Sequence, residues 1–208
     1  MRIIGGTCRG RRLIAPKGRQ TTRPTSDRIR ESIFNIISQR VHNASVLDLF
    51  AGTGALGMEA LSRGAASATF VDKSVEACNL IKENSTILQF NDRSTIIHQD
   101  LSQPGQFFTP GNRTSQSSKD QTQTNLARAK KKFDLVFMDP PYGMGLIETV
   151  LANAVFIDLL ATNALIVCEH YVRENPGANL SNLDIRDQRK YGKTQITFLT
   201  FQKREHTL

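Results

Sequence analysis

The chain has 208 residues, 39% of them hydrophobic, and 27 Lys and Arg against 19 Asp and Glu give a formal net charge of +8. That length suits one domain with at most a small appendage, and the apolar fraction suffices for a core, which excludes a wholly disordered chain. There is no apolar run near the ~20 residues of a membrane helix, no secretory pattern in MRIIGGTCRGRR, and no disulfide or zinc spacing among Cys8, Cys78 and Cys168, so a soluble, cytoplasmic, metal-free monomer is expected.

The excess charge lies at the start. Residues 1–40 hold nine Arg and one Lys against Asp27 and Glu31, a balance of +8, while the other 168 residues hold seventeen charges of each sign. Gly5, Gly6, Gly10 and Gly18 punctuate this segment, and Ile3, Ile4, Leu13 and Ile14 read as short strands. Residues 1–24 are therefore expected to form a small basic hairpin that holds phosphates, a task suited to the planar fork of Arg.

Residues 25–208 read as a second, larger unit. Thr25 or Ser26 can cap a helix to about Arg40, with Ile29, Ile33, Ile36 and Ile37 on one face. Short apolar runs then alternate with helical patterns. Strands are expected at 45–50, 67–72, 94–99, 133–139 and 164–170, and helices at 55–62, 74–88 and 146–160. Continuous Val, Ile, Leu and Phe runs between helices indicate a parallel sheet covered on both faces. "LDIRDQRKYG" and "KTQITFLTFQ" add two strands joined near Tyr191–Lys193, an antiparallel finish. The fold class is α/β, a Rossmann-like, doubly wound, mostly parallel seven-stranded sheet with an antiparallel C-terminal strand. Thr109 to Asn125 contains no apolar residue, so 103–131 is expected to be a disordered insertion. "ARAKKK" after it suits nucleic acid and a solvated linker equally well.

Two motifs fall at strand ends. "DLFAGTGALG" (48–57) contains G-x-G-x-x-G at Gly52, Gly54 and Gly57, the spacing of a dinucleotide loop. Asp48, four residues before Gly52, would repel a pyrophosphate, but suits the positive sulfonium and ammonium of S-adenosylmethionine. Asp72 ends the next strand, where a carboxylate accepts from ribose hydroxyls, and Asp100 follows the third, where it can accept from an adenine amine or merely face solvent. With Phe50 and Lys73 these residues make up the expected cofactor set, to which Asp139 also belongs. "DPPY" (139–142) directly follows the fourth strand. Consecutive prolines fix the backbone and leave carbonyls free to accept. The Asp139 carboxylate and the Pro140 carbonyl can together hold both hydrogens of an amine, and Tyr142 offers a face on which a planar base or amide stacks.

These motifs resemble the Rossmann-type S-adenosylmethionine-dependent amino-methyltransferases, a group acting on adenine N6, cytosine N4, guanine N2 and glutamine amides. "MRIIGGTCRGRRL", "TRPTSDRIRESIFNII" and "KYGKTQITFL" further resemble the bacterial 16S ribosomal RNA guanine-N2 methyltransferase family (RsmD type) over nearly the whole chain, the insertion at 103–131 being the departure. The resemblance implies transfer of a methyl from S-adenosylmethionine to a guanine N2 amine of 16S rRNA, in a small ribosomal subunit or its assembly intermediate. Asp139, Pro140 and Tyr142 would be catalytic, and Arg2, Arg9, Arg11, Arg12, Arg23 and Arg28 would bind RNA. Arg30 would bind RNA or pair with acids. Stacking needs the Tyr142 ring rather than its hydroxyl, so Tyr142→Phe is expected to be mild. The alternatives are another base amine, a non-catalytic rRNA assembly factor, and an NAD-dependent oxidoreductase, which leaves DPPY without a role.

Overall fold

The computed structural model describes residues 1–16, 27–102, 132–177 and 180–202. Arg23, the helix cap at Thr25 or Ser26, the end of the basic segment and the stretch 103–131 lie outside the described residues.

The elements run α1 (Asp27–Ile36), α2 (Ser38–Val41), β1 (Ser45–Leu49), α3 (Ala55–Ser62), β2 (Ser67–Asp72), α4 (Val75–Leu88), a 3-10 turn (Asn91–Arg93), β3 (Ser94–His98), β4 (Phe133–Met138), α5 (Leu146–Leu151), α6 (Ala154–Asp158), β5 (Leu160–Tyr171), β6 (Leu183–Tyr191) and β7 (Thr194–Phe201). They build one seven-stranded sheet in the order β3-β2-β1-β4-β5-β7-β6. β1 to β5 are parallel, and β7 runs antiparallel to both of its neighbours. The expected doubly wound sheet with its antiparallel finish is therefore present.

Alternation along the strands feeds two cores. Val46, Phe70, Leu135, Phe137 and Val167 face the side covered by α1, α3 and the N-terminal segment. Leu47, Leu49, Val71, Val136, Met138 and Ile166 face the side that carries α5 and α6. The strand order changes direction between β1 and β4, and a crevice outside the carboxyl ends of strands at such a point is where open α/β sheets bind ligands.

Two helices differ from the expected pattern. The stretch read as one helix to Arg40 is interrupted at Ile37, and Ile36 is 41% exposed. The seam is instead Arg30, Ile33, Phe34 and Ile37, the i, i+3, i+4, i+7 face of the helix. An isoleucine-only pattern misplaces that stripe, because Arg30 is wholly buried. The 146–160 stretch also splits. The Asn153 side chain accepts from the Val155 and Phe156 N–H groups and starts a new helix, and β5 begins at Leu160 rather than 164.

The first residues fold back on themselves. Arg2 and Arg12 form an antiparallel bridge, the Ile3 N–H donates to the Arg11 carbonyl at 2.9 Å, and the Gly10 N–H donates to the Ile3 carbonyl at 2.8 Å. Ile3, Cys8 and Leu13 join the same core as the sheet. The segment is clamped to α3 through Glu59, whose carboxylate is fully buried and accepts from the Ile4 N–H at 2.7 Å, the Gly5 N–H at 2.8 Å and Arg63 Nε at 2.7 Å. Gly6 has φ +76° there, and a Cβ would sit 1.9 Å from the Ser62 carbonyl oxygen, so only glycine fits.

Candidate active site

β1 delivers the chain into the crevice through a run of left-handed residues: Phe50 (φ 59°), Gly52 (φ 54°) and Gly54 (φ 75°). Positive φ suits glycine and costs of order 1–3 kcal/mol at a bulky residue such as Phe50, so the loop is held by its surroundings. Asp72 does much of this holding. One carboxylate oxygen accepts from the Gly52 N–H at 2.8 Å, the other from the Ser74 N–H at 2.8 Å. Among the described residues a Cβ on Gly52 would meet nothing within 4 Å, so they leave open space beside the loop. Gly57 serves a different need. It lies inside α3, where a Cβ would come within 2.3 Å of the Phe70 ring and 3.1 Å of an Asp48 oxygen, so its absence lets the helix lie close on the sheet.

Asp48 sits beneath the loop, 2% exposed, and one oxygen accepts from the Gly57 N–H at 2.9 Å. Burial pushes its carboxyl up to about 8, with the Asp72 charge adding to the rise and the Gly57 hydrogen bond opposing it. Asp100 follows β3 in a more open position, and hydrogen bonds from Ser102 hold its carboxyl below the ordinary range. Lys73 is exposed beside Asp72, and its carbonyl meets His98 Nε2 at 2.8 Å, a polar strand-end contact. Cys78 tucks beneath its helix with Sγ 3.8 Å from the Asp72 carbonyl.

The DPPY turn leaves β4 on the same edge. Asp139 is half-buried and Pro140 buried, while Tyr142 keeps 43% of its surface exposed. The Tyr142 hydroxyl donates to Glu169 Oε1 at 3.0 Å and lies 3.1 Å from Thr194 Oγ1. Burial raises the Tyr142 pKa, as do the neighbouring Glu169 and Asp139 charges, so the phenol stays protonated. Beyond it, Glu174 accepts from the Gly143 N–H at 2.9 Å and from the Tyr171 N–H at 2.7 Å, pinning the turn to the end of β5. Local sequence does not point to Glu169, Glu174 or Thr194 as neighbours of this turn. The one available signal was Glu169 itself, an acid inside the otherwise apolar run ALIVCEH. His170 is fully buried beside it and is spoken for by the Tyr171 carbonyl at 2.9 Å and Thr197 Oγ1 at 2.8 Å, with burial lowering its pKa.

The hydroxyl anchor changes what Tyr142→Phe should do. The ring would lose both hydrogen bonds that fix its tilt, so turnover is expected to fall about tenfold with cofactor affinity unchanged. Steady-state kinetics beside a cofactor titration check this, and full activity in the variant would free the ring from any need of Glu169 and Thr194.

Among the arginines, Arg2, Arg9, Arg11, Arg12 and Arg28 are exposed, with Arg11 Nη1 donating to the Ile87 carbonyl at 3.1 Å. Arg30 departs from this set. It is sealed in the core, donating to the Arg2 carbonyl at 2.5 Å and to Asp27 at 2.9 Å. Burial there lowers its pKa, opposed by Glu59 and Asp27, and its 2.9 Å ion pair with Asp27 is the acid-pairing outcome of the two expected for it.

Comparison with known proteins adds an independent line. The family model described as conserved hypothetical protein 95 matches residues 1–200. Ribosomal RNA small subunit methyltransferase D of Escherichia coli K12 is 32% identical over 203 residues, covering 98% of this chain and 90% of that protein. A Bacillus subtilis protein, YlbH, provisionally named an rRNA methyltransferase, is 31% identical over 196 residues, 94% of this chain and 96% of its own. A solved structure from Escherichia coli, yhhF, provisionally named a methyltransferase, superposes with a TM-score of 0.73 at 28% identity, covering 97% of this chain and 98% of that one.

Proposed function

Because this chain belongs to the conserved hypothetical protein 95 family, the RsmD family of methyltransferases, we propose that it moves a methyl group from S-adenosylmethionine to the N2 amine of a guanine in 16S rRNA of the small ribosomal subunit. The observation that carries this reading is the placing of the glycine loop after β1 between Asp72, at the end of β2, and Asp139, just past β4, on one edge of the sheet.

The residues present fit that cofactor. Asp72, Asp100 and Asp139 make the edge acidic, and buried Asp48 adds a charge when a bound cation favours its ionised form, which suits a cation bearing hydroxyls and an amine and opposes a pyrophosphate. Open space beside Gly52 leaves the loop backbone approachable. Phe50, Gly52, Gly54, Asp72, Lys73 and Asp100 would hold the cofactor, with Asp48 and Asp139 supplying negative charge. When bound, S-adenosylmethionine supplies an electrophilic methyl on a positively charged sulfur.

The chain's own residues prepare the other reactant. A guanine amine is a weak nucleophile, since its lone pair is delocalised into the ring. The Asp139 carboxylate and the Pro140 carbonyl accept its two hydrogens, favour a pyramidal nitrogen and stabilise positive charge as it develops there. Asp139 then takes the surplus proton and passes it to water. Tyr142, held by Glu169 and Thr194, stacks on the base, which must leave its own stack to reach the turn at a cost of a few kcal/mol. Arg2, Arg9, Arg11, Arg12, Arg23 and Arg28 place the RNA backbone.

Asp48 gives this reading a pH signature. Its folded-state pKa of about 8 lies far above the ~3.9 of an unfolded chain. The group therefore contributes stability that is fully present below pH ~4 and is lost as pH rises toward 8. A bound cation favours the ionised form, so cofactor binding should release a proton and tighten as pH climbs from ~6 to ~8. Asp48→Asn keeps an acceptor for the Gly57 N–H. It is expected to raise the apoprotein melting temperature most at pH 8, to weaken cofactor binding and to flatten the pH dependence of that binding. Melting curves and titrations across pH 5–8 check each part.

Arg9 and Arg12 are both exposed. Replacing the pair with Ala should weaken rRNA binding and reduce the slope of log affinity against log salt by about 1–2. An unchanged slope would remove this face from the interface. The function itself is tested by incubating labelled S-adenosylmethionine with small ribosomal subunits lacking the modification. Label in 16S rRNA is expected, and its absence despite cofactor binding would favour the assembly-factor alternative.

A further inference from the structure

Asn84 is fully buried in α4, yet it uses its side chain to join two parts of the molecule far apart in sequence. Its Oδ1 accepts from the Ile14 N–H at 2.7 Å, and its Nδ2 donates to the Ile14 carbonyl at 3.2 Å and to the Thr53 carbonyl at 3.1 Å. Ile14 lies in the basic segment just after the Arg2–Arg12 bridge, and Thr53 lies between Gly52 and Gly54 at the centre of the proposed cofactor loop. A second contact spans the same gap. Thr53 Oγ1 donates to Met1 Sδ at 3.6 Å, and the Met1 carbonyl accepts from the Leu13 N–H at 3.1 Å within the hairpin. On α4, one turn before Asn84, Ile81 lies where a Cβ on Gly54 would come within 3.1 Å, so the helix also supports the loop from below.

An asparagine is a poor choice for a helix interior, where it competes with the backbone for hydrogen bonds, and packing alone would be met by leucine. What asparagine adds is a bridge that satisfies both backbone groups of Ile14 and one of Thr53. Arg11 reaches the same helix, through the Ile87 carbonyl at its last turn. The basic hairpin, α4 and the cofactor loop thus share one hydrogen-bonded frame.

We propose that Asn84 is a positioning residue that couples rRNA docking on the basic hairpin to cofactor binding in the Gly52–Thr53–Gly54 loop. The proposal rests on the function proposed above. RNA that engages the hairpin arginines further restrains a segment already fixed to α3 and the core, and Asn84 passes that restraint to the Thr53 carbonyl, so the loop loses less freedom when the cofactor enters. Linkage makes the effect reciprocal: the cofactor tightens rRNA by the same factor.

The test measures the affinity of S-adenosylhomocysteine, which cannot react, alone and with saturating small ribosomal subunits. In the wild type, affinity is expected to rise about tenfold with subunits present. In Asn84→Ala the ratio should fall to near one, alongside weaker binding in the absence of RNA. Asn84→Asp keeps the acceptor for the Ile14 N–H and removes both donations, so it serves if the alanine variant does not fold. A measurement on the unaltered protein stands beside these: subunit binding alone should slow amide exchange in residues 51–57. A wild-type ratio near one, an unchanged ratio in the variants, or no added protection of 51–57 would overturn the coupling. Both ligands binding without coupling would defeat this inference alone, whereas failure of the wild type to bind either ligand would defeat the proposed function and this inference with it.

Discussion

Asp139→Ala is expected to abolish methyl transfer, lowering turnover by at least about 10²–10³-fold, the range seen when one preorganised electrostatic contact to the reacting group is removed. Asp139 opens a turn that is held at several other points. Pro140 and Pro141 restrict the backbone, Glu174 holds the Gly143 N–H, and Glu169 with Thr194 holds the Tyr142 ring. Losing the carboxylate should therefore leave the turn in place and take away the acceptor for one amine hydrogen and for the surplus proton. The glycine loop is held by Asp72, and Asp139 would give the cofactor charge but no hold on that loop, so cofactor affinity should fall far less than turnover. Single-turnover kinetics with a parallel cofactor titration separate these effects. A large loss of affinity with little loss of turnover would assign Asp139 to cofactor binding and leave the amine without its acceptor.

Glu59→Ala is expected to destabilise the fold by about 3–5 kcal/mol, the cost of breaking a buried charge pair by removing one partner. The variant would strand the Ile4 and Gly5 N–H groups, leave Arg63 without its acid and remove the second negative charge near Arg30. Among the described residues Arg30 Nε and Nη1 have no hydrogen-bond partner in the core, so little slack remains. For a chain of this size the melting temperature should drop by roughly 10 °C. Because Glu59 fastens the N-terminal segment to α3, rRNA affinity should fall along with stability. A melting temperature within about 2 °C of wild type would mean that the hairpin is anchored by its apolar contacts and not by this carboxylate.

The parts of the fold written in local pattern were legible. The helix expected at 55–62 and the strand at 67–72 match α3 and β2 residue for residue, since each is a periodic apolar run bounded by glycine or a polar turn. The glycine spacing and DPPY are also local, and strand order alone brings them to one edge. The unread features are those whose partners lie far away in sequence. Arg30 looks like a surface cation beside Arg28, and only the hairpin folding over it makes it part of the core. Asn84 looks like one polar residue among several in NLIKENS, until Ile14 and Thr53 meet it from 70 and 31 residues away. Glu169 and Thr194 find Tyr142 only after β5 and β7 pair. In the sequence Asp48 is an acid placed to face a cation. The structure adds that it is buried and bonded to Gly57, which makes its ionisation depend on what binds above it.

The most direct measurement is nucleoside analysis of 16S rRNA after reaction of small ribosomal subunits and of naked rRNA with labelled S-adenosylmethionine. N2-methylguanosine as the labelled nucleoside is the predicted result, and it would establish the cofactor, the amine chemistry and the base together. Label confined to any other nucleoside, or found in ribosomal protein, would contradict guanine N2 as the group that Asp139 and Pro140 receive.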